Sequence, residues 1–259
     1  MNRFEIDPGG FSVYGWITIF GLVVGAWFWL RRWRKTPETF GIYIGALCGA
    51  FLGAKLLFIA AEGWMNVRDN SGWNALLQLL AGKTIVGALL GGYAGVEIAK
   101  KIIGYKKPTG DWFAVGVPLG IAMGRIGCLR YGCCLGNVCS SEQWWTMADS
   151  LGDPRWPASV VEMISNLLFV AAMLPIVTRG AGKGQLFHVY LICYGLFRFF
   201  HEFFRDTPDL IGSISGYQIA ALGLVALGAI RAWQRAKSGG QNLDRAEEYP
   251  PADGAREAK

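Results

Sequence analysis

Residues 184–209 read GQLFHVYLICYGLFRFFHEFFRDTPD. As far as Phe197 the run is apolar enough to lie in lipid. Arg198, His201, Glu202 and Arg205 then arrive within eight positions. With Tyr194 they recur at intervals of three and four, so a helix carries all five on one face. An ionisable group inside a span costs about 2.5–3.5 kcal/mol on insertion scales, so such a face turns towards a cavity or a partner. An Arg198–Glu202 pair that only neutralises itself between helices satisfies the same pattern. Arg205, at the end of the run, satisfies it by snorkelling to the interface.

The rest of the chain has the composition that this reading requires. Of 259 residues, 53% are hydrophobic and 17% charged, too little charge for the surface of a soluble domain of this length. Thirty-six glycines and eleven tryptophans suit a helical membrane protein, in which Trp anchors at interfaces and Gly lets helices approach closely. We therefore expect an all-α integral membrane protein with spans near 11–30, 40–61, 83–99, 111–129, 157–178, 184–204 and 213–232. The third is the weakest, since Lys83 and Glu97 bracket a glycine-rich centre whose small residues suit either tight packing or the lining of a cavity. The first apolar run is too long for a signal-peptide core and reads as a retained anchor. Residues 1–232 form the membrane domain, and 233–259, polar with little to bury, read as a disordered tail.

Charge fixes the expected orientation. Counted as far as Lys237, thirteen Lys and Arg residues lie at or after the ends of the odd-numbered spans, among them Arg31, Arg32, Lys100, Lys101 and Arg231, against five on the other side. Cytoplasmic loops collect Lys and Arg, which puts the N-terminus outside and the C-terminus inside. The net charge of +6 is spread in short clusters between apolar runs, a distribution that argues against nucleic acid as a partner.

Other residues break the apolar pattern. Arg125 lies in the fourth span among Gly120, Gly124, Gly127 and Gly132, and its planar fork suits a phosphate. Pairing with Glu162 or Glu202 would also account for it. The fifth span opens RWPASVVE, with Pro157 at a helix start and Glu162 one turn in. Lys55 reads as a snorkelling residue of the second span. Two cations and two carboxylates thus converge in the outer half of the bundle, which is a site for something anionic and amphiphilic. A phospholipid meets that description.

With these residues together, the chain resembles the bacterial prolipoprotein diacylglyceryl transferase family over residues 11–232. GRIGCLRYGCCLG, residues 124–136, is similar to the family signature that begins Gly-Arg-Ile-Gly-Asn and ends in Gly. YGLFRFFHEFFRDTPD at 194–209, followed by Gly216 and Gln218, gives a second match, and FSVYGWITIFG at 11–21 a weaker one. RWPASVVE at 155–162 resembles Arg-His-Pro-Ser-Gln-Leu-Tyr-Glu. The resemblance implies a multi-pass enzyme of the bacterial inner membrane that needs no cofactor and no resident metal. Such an enzyme moves the diacylglyceryl group of phosphatidylglycerol, or a similar anionic phospholipid, to a cysteine thiol of a lipoprotein precursor. It further implies that Arg125 and Arg198 grip the phosphate and that Glu202 holds Arg198. Tyr14, Gly124, Gly127, Gly136 and Glu162 match family positions. His201 and Arg205 join the candidates from the helical face alone, His201 as a base, a task for which Glu202 stands as the alternative although its pairing with Arg198 weakens it.

The chain also departs from the family. Val86-Gly87-Ala88 stands where the family has His-Gly-Gly, Cys128 and Tyr131 replace asparagines, Cys133 a glutamate, and Trp156 a histidine. Two other functions stay open: a different lipid-linked reaction or acceptor, or a phospholipid-binding membrane protein without catalysis. Arg130 has no family counterpart and reads as an interfacial anchor. Cys128, Cys133, Cys134 and Cys139 form C-x4-C-C-x4-C, for which packing, a disulfide, a metal site and a catalytic role all remain open.

Overall fold

The computed structural model describes residues 37–63, 82–106, 109–149, 151–182 and 184–238, with single positions 23, 68, 72, 73 and 79. The predicted first span at 11–30 apart from Val23, Tyr14 included, the side chain of Arg130 and residues 239–259 of the tail lie outside the described residues. Within them the chain is mostly helical. Helix α1 is Pro37–Phe58, continued by a π-helical turn at Ile59–Gly63; α2 is Ile85–Ile103, and α3 is Phe113–Tyr131. Helix α4 is Ala158–Thr178, α5 is Leu186–His201 with a 3-10 turn at Glu202–Phe204, and α6 is Gly216–Ser238. Each falls on one of the segments expected to be helical.

Three stretches among the described residues are long and apolar enough to cross a membrane: Glu38–Gly63, Ala158–Thr178 and Gly216–Lys237. Phe113–Leu129 is a shorter apolar helix. In α2 the last turn carries Lys100 and Lys101, with Glu97 one turn earlier. Exposure runs opposite to that of a soluble protein. Glu162 is fully buried, whereas Leu168, six residues on in the same helix, is 65% exposed. Lipid accepts the leucine and penalises the carboxylate.

Local chemistry sets the helix ends. Thr84 caps α2 by accepting from the Gly87 backbone N–H at 2.9 Å, and Gly104 closes that helix in the left-handed conformation at φ 76°. Helices α1 and α2 then lie antiparallel, with Gly45, Gly49 and Gly53 facing Gly95, Gly91 and Gly87. A Cβ at Gly49 would collide with the Gly91 carbonyl oxygen, and one at Gly91 with that of Gly49. Small residues every fourth position bring two backbones into contact. The third segment's small residues therefore pack against α1, one of the two roles open to them. Gly195 and Gly228 play a related part between α5 and α6.

Lys55 does not snorkel outward as expected. Its Nζ donates to the carbonyls of Leu79 at 3.0 Å and Gly82 at 2.9 Å, because those acceptors lie within reach on the segment leading into α2.

At the end of the bundle where α3 and α5 finish, a small polar crown covers the helices. Strands β1 (Met147–Ala148) and β2 (Pro154–Arg155) form one antiparallel pair, and β3 (Asp209–Ile211) and β4 (Ile214–Ser215) another. Gly136 ties the crown to the helices. Its N–H donates to the Trp156 carbonyl at 2.8 Å, and it bridges Arg205 in antiparallel fashion. A Cβ there would run into the Phe204 carbonyl oxygen, so the position needs glycine.

Candidate active site

The face predicted on α5 points inward. Tyr194, Arg198, His201 and Glu202 are all buried. Glu162, from the first turns of α4, is the hub. Its Oε2 lies 2.5 Å from Arg125 Nη2 and 3.5 Å from Arg198 Nη1, while Oε1 accepts from the Tyr194 hydroxyl at 2.6 Å. Arg198 Nη2 stands 2.7 Å from Glu202 Oε2, and Arg205 Nε 3.7 Å from the same oxygen. Thr207 donates to Glu202 Oε1 at 2.9 Å. One end of three helices and the turn after α5 thus bring together five ionised side chains.

Both pairings left open by the sequence, Arg125 with Glu162 and Arg198 with Glu202, are present. They do not complete the bonding. Three guanidinium groups meet two carboxylates, a surplus of one positive charge. Arg125 Nε, Arg198 Nε and Nη1, and Arg205 Nε and Nη1 are buried without a hydrogen-bond partner among the described residues, five donors against one such acceptor in the cluster, Glu202 Oε2. A buried donor left unpaired costs about 1–3 kcal/mol, more when it is charged. Excess charge and idle donors in one place are what an anion would satisfy. Arg205 is not a snorkelling residue, since its side chain is only 14% exposed and is drawn in by Glu202.

His201 is buried near the same cluster. Its Nε2 accepts from the Trp156 indole N–H at 3.4 Å, its ring stacks on Phe197 at 4.9 Å between centroids, and its Nδ1 has no partner. Trp156 therefore has a polar task that its substitution for histidine did not suggest. A Cβ at Gly124 would meet nothing within 4 Å, so this glycine opens space and makes no close helix contact. Gly127 is buried. Val86 is 1% exposed in the apolar core. Tyr14 lies outside the described residues.

Sequence reasoning passed over a supporting layer. Tyr190 donates to Asn166 Oδ1 at 2.9 Å, and Asn166 donates to the Glu162 carbonyl at 2.8 Å. Both partners were within reach, since Tyr190 continues the α5 face by one turn and Asn166 sits four residues after Glu162. In the crown, Arg155 holds Asp149 Oδ2 at 2.7 Å and Asp206 Oδ2 at 3.1 Å. The hydrogen bond from Arg155, with the backbone N–H of Leu151, holds the Asp149 carboxyl below its ordinary pKa.

Against known proteins, the family model described as prolipoprotein diacylglyceryl transferase matches residues 2–234. A phosphatidylglycerol–prolipoprotein diacylglyceryl transferase 2 of Clostridium perfringens is 28% identical over 84% of this chain and 88% of its own length. Enzymes of the corresponding name from Aeromonas salmonicida and Sodalis glossinidius are each 26% identical. They cover 88% and 93% of this chain, and 90% and 94% of their own lengths.

Proposed function

The chain belongs to the prolipoprotein diacylglyceryl transferase family, and on that premise we propose that it moves the diacylglyceryl group of phosphatidylglycerol to a cysteine thiol of a lipoprotein precursor. The observation that carries this reading is the surplus guanidinium charge around Glu162, with its idle N–H donors. Arg125 and Arg198 bind the lipid phosphate through those donors, Glu202 orients Arg198, and Arg205 completes the cationic wall. Glu162 sets the spacing of the two arginines. Gly124 and Gly127 leave room beside Arg125, Gly136 fixes the crown, and Tyr14 contributes from the first span.

In the reaction the thiol sulfur attacks the glyceryl carbon bound to the phosphate oxygen. The S–C bond forms, the C–O bond breaks, and its electron pair leaves on the phosphate of glycerol 1-phosphate. Guanidinium groups aimed at those oxygens lower the barrier where charge develops. The thiol proton passes to His201 at Nε2, the ring's one lone pair, which the Trp156 N–H holds at rest and gives up to it. The acceptor brings its own nucleophile, so no cysteine of this chain need attack. Seven spans, an outside N-terminus and a cytoplasmic tail place the cluster in the outer half of a bacterial inner membrane, where lipid and secreted precursor meet. The excess of basic residues after the odd-numbered spans supports that orientation.

The test is direct. Full-length protein in phosphatidylglycerol-containing nanodiscs, incubated with a lipobox peptide, should add the mass of one diacylglyceryl group to the peptide cysteine. No mass gain, with phosphatidylglycerol still bound, would leave the lipid-binding reading in its place. His201→Gln should slow transfer by about 10²–10⁴-fold, the usual contribution of a positioned base. Transfer at the full rate in that variant removes His201 from the mechanism.

A further inference from the structure

Three nucleophilic side chains beside the charged cluster have no part in the reaction just described. Helix α3 ends at a left-handed Gly132 with φ 60°, whose N–H donates to the Leu129 carbonyl at 3.3 Å. The next N–H, of Cys133, turns back to the Cys128 carbonyl at 3.1 Å. Cys134 then adopts φ 60° itself and is the only non-glycine residue with positive φ among the described residues. For a residue with a Cβ that conformation costs about 1–2 kcal/mol. The result of this double reversal is that the Sγ atoms of Cys128, Cys133 and Cys134 all lie within 4.8 Å of one another. Arg125 Nη1 is 3.5 Å from the Cys128 sulfur.

We propose that Cys128, Cys133 and Cys134 bind a thiophilic cation of the zinc class through three thiolates, with the fourth tetrahedral position left for the acceptor's thiol. In sequence the C-x4-C-C spacing looks wrong for zinc, which favours C-x2–4-C pairs. The two left-handed residues do in space what that spacing does along a chain. Zn–S bonds of about 2.3 Å put tetrahedral sulfurs roughly 3.8 Å apart, a small contraction of the observed cluster. Three converging sulfurs are one more than a disulfide uses, and all three are free thiols. Cys139 does not join them; its Sγ is directed at the Asn137 carbonyl at 3.9 Å. Three protein ligands with one open position is the arrangement of reactive zinc sites, whereas closed sites use four. Cys128 is buried and Cys133 exposed, so the open side is reachable from the crown.

This inference deepens the proposed transferase function and rests on it. A thiol that enters a zinc coordination sphere loses its proton, here to His201. A cation held there would keep the acceptor sulfur as a thiolate for attack on the glyceryl carbon, with the S–C bond forming as the C–O bond to phosphate breaks. Both carboxylates of the cluster are held by arginines, which leaves His201 as the base beside them.

The test uses the full chain in nanodiscs, reduced, loaded with Zn2+ and desalted. Wild type should retain about one ion per chain, with sulfur at about 2.3 Å in X-ray absorption. Cys133→Ser and Cys134→Ser should weaken retention beyond the 10–100-fold that loss of an outer partner costs. Cys48→Ser and Cys139→Ser should retain it. No zinc in the reduced wild type, or equal zinc in Cys133→Ser and Cys134→Ser, overturns the site. Transfer to the lipobox peptide should fall when zinc is chelated and return when it is restored. Transfer indifferent to chelation overturns the role in holding the acceptor. A protein that binds zinc and phosphatidylglycerol but modifies no thiol refutes the transferase reading and leaves the metal site intact.

Discussion

Between α1 and α2 the chain sets Gly45, Gly49 and Gly53 against Gly95, Gly91 and Gly87, with backbone touching backbone. Between α3, α4 and α5 it buries three guanidinium groups around two carboxylates. The first interface gains dispersion from close approach and has nothing to titrate. The second carries a desolvation cost that its ion pairs offset only in part, since one positive charge and several donors stay uncompensated among the described residues. An interface that served only to join helices would gain more from packing apolar side chains. The pair of interfaces therefore divides the molecule into a part that holds the bundle together and a part kept polar for a ligand.

Three substitutions test that division, and a fourth probes the crown outside it. The largest effect is expected from Glu162→Gln, which leaves Arg125 and Arg198 without their shared counter-charge. Breaking a buried pair from one side costs about 3–5 kcal/mol, which thermal unfolding in lipid should register together with loss of transfer. Next, Arg198→Lys keeps the charge but loses the fork that meets Glu162, Glu202 and the phosphate. Transfer should fall by about 10²–10³-fold, as for loss of one donor to a developing anion, with unfolding nearly unchanged. Gly91→Val forces a side chain against the Gly49 carbonyl and should cost about 1–3 kcal/mol by overpacking. The folded fraction of that variant should still bind phosphatidylglycerol. Were folded Gly91→Val to lose lipid binding while Glu162→Gln kept it, the division between the two interfaces would be wrong.

The smallest effect belongs to the crown. The Asp149 carboxyl, with its pKa lowered by Arg155, adds stability that is fully present above the ordinary carboxylate value of about 3.9. That contribution is lost as pH falls through the lowered value. Asp149→Asn should therefore loosen residues 147–155 slightly at neutral pH and remove part of the acid sensitivity there. Amide hydrogen exchange in that segment measures both.

The predicted α5 face was legible because helical spacing is local: Arg198, Glu202 and Arg205 had to share a side, and they do. Glu162 was legible as an ionisable residue in an apolar run, but not as the hub between two arginines. That role depends on where α4 lies between α3 and α5. Lys55 was misread for the same reason, since its two carbonyl partners are 24 and 27 residues away. The glycines of the third segment left packing and cavity lining equally open until Gly45, Gly49 and Gly53 stood opposite them.

The sequence by itself determined that this chain is mostly helical, where its described helices fall, and which of their faces carry charge. Apolar run length and 3.6-residue periodicity are properties of a chain segment alone. Motif order also assigned the family before any contact was known. Only the tertiary structure decided that three arginines share two carboxylates, that Trp156 donates to His201, and that the turn after α3 gathers three sulfurs. Each of these depends on helices and loops meeting across many residues of chain, and in the third case on a left-handed Cys134. Residue types and spacing do not encode that geometry separately from the fold that imposes it.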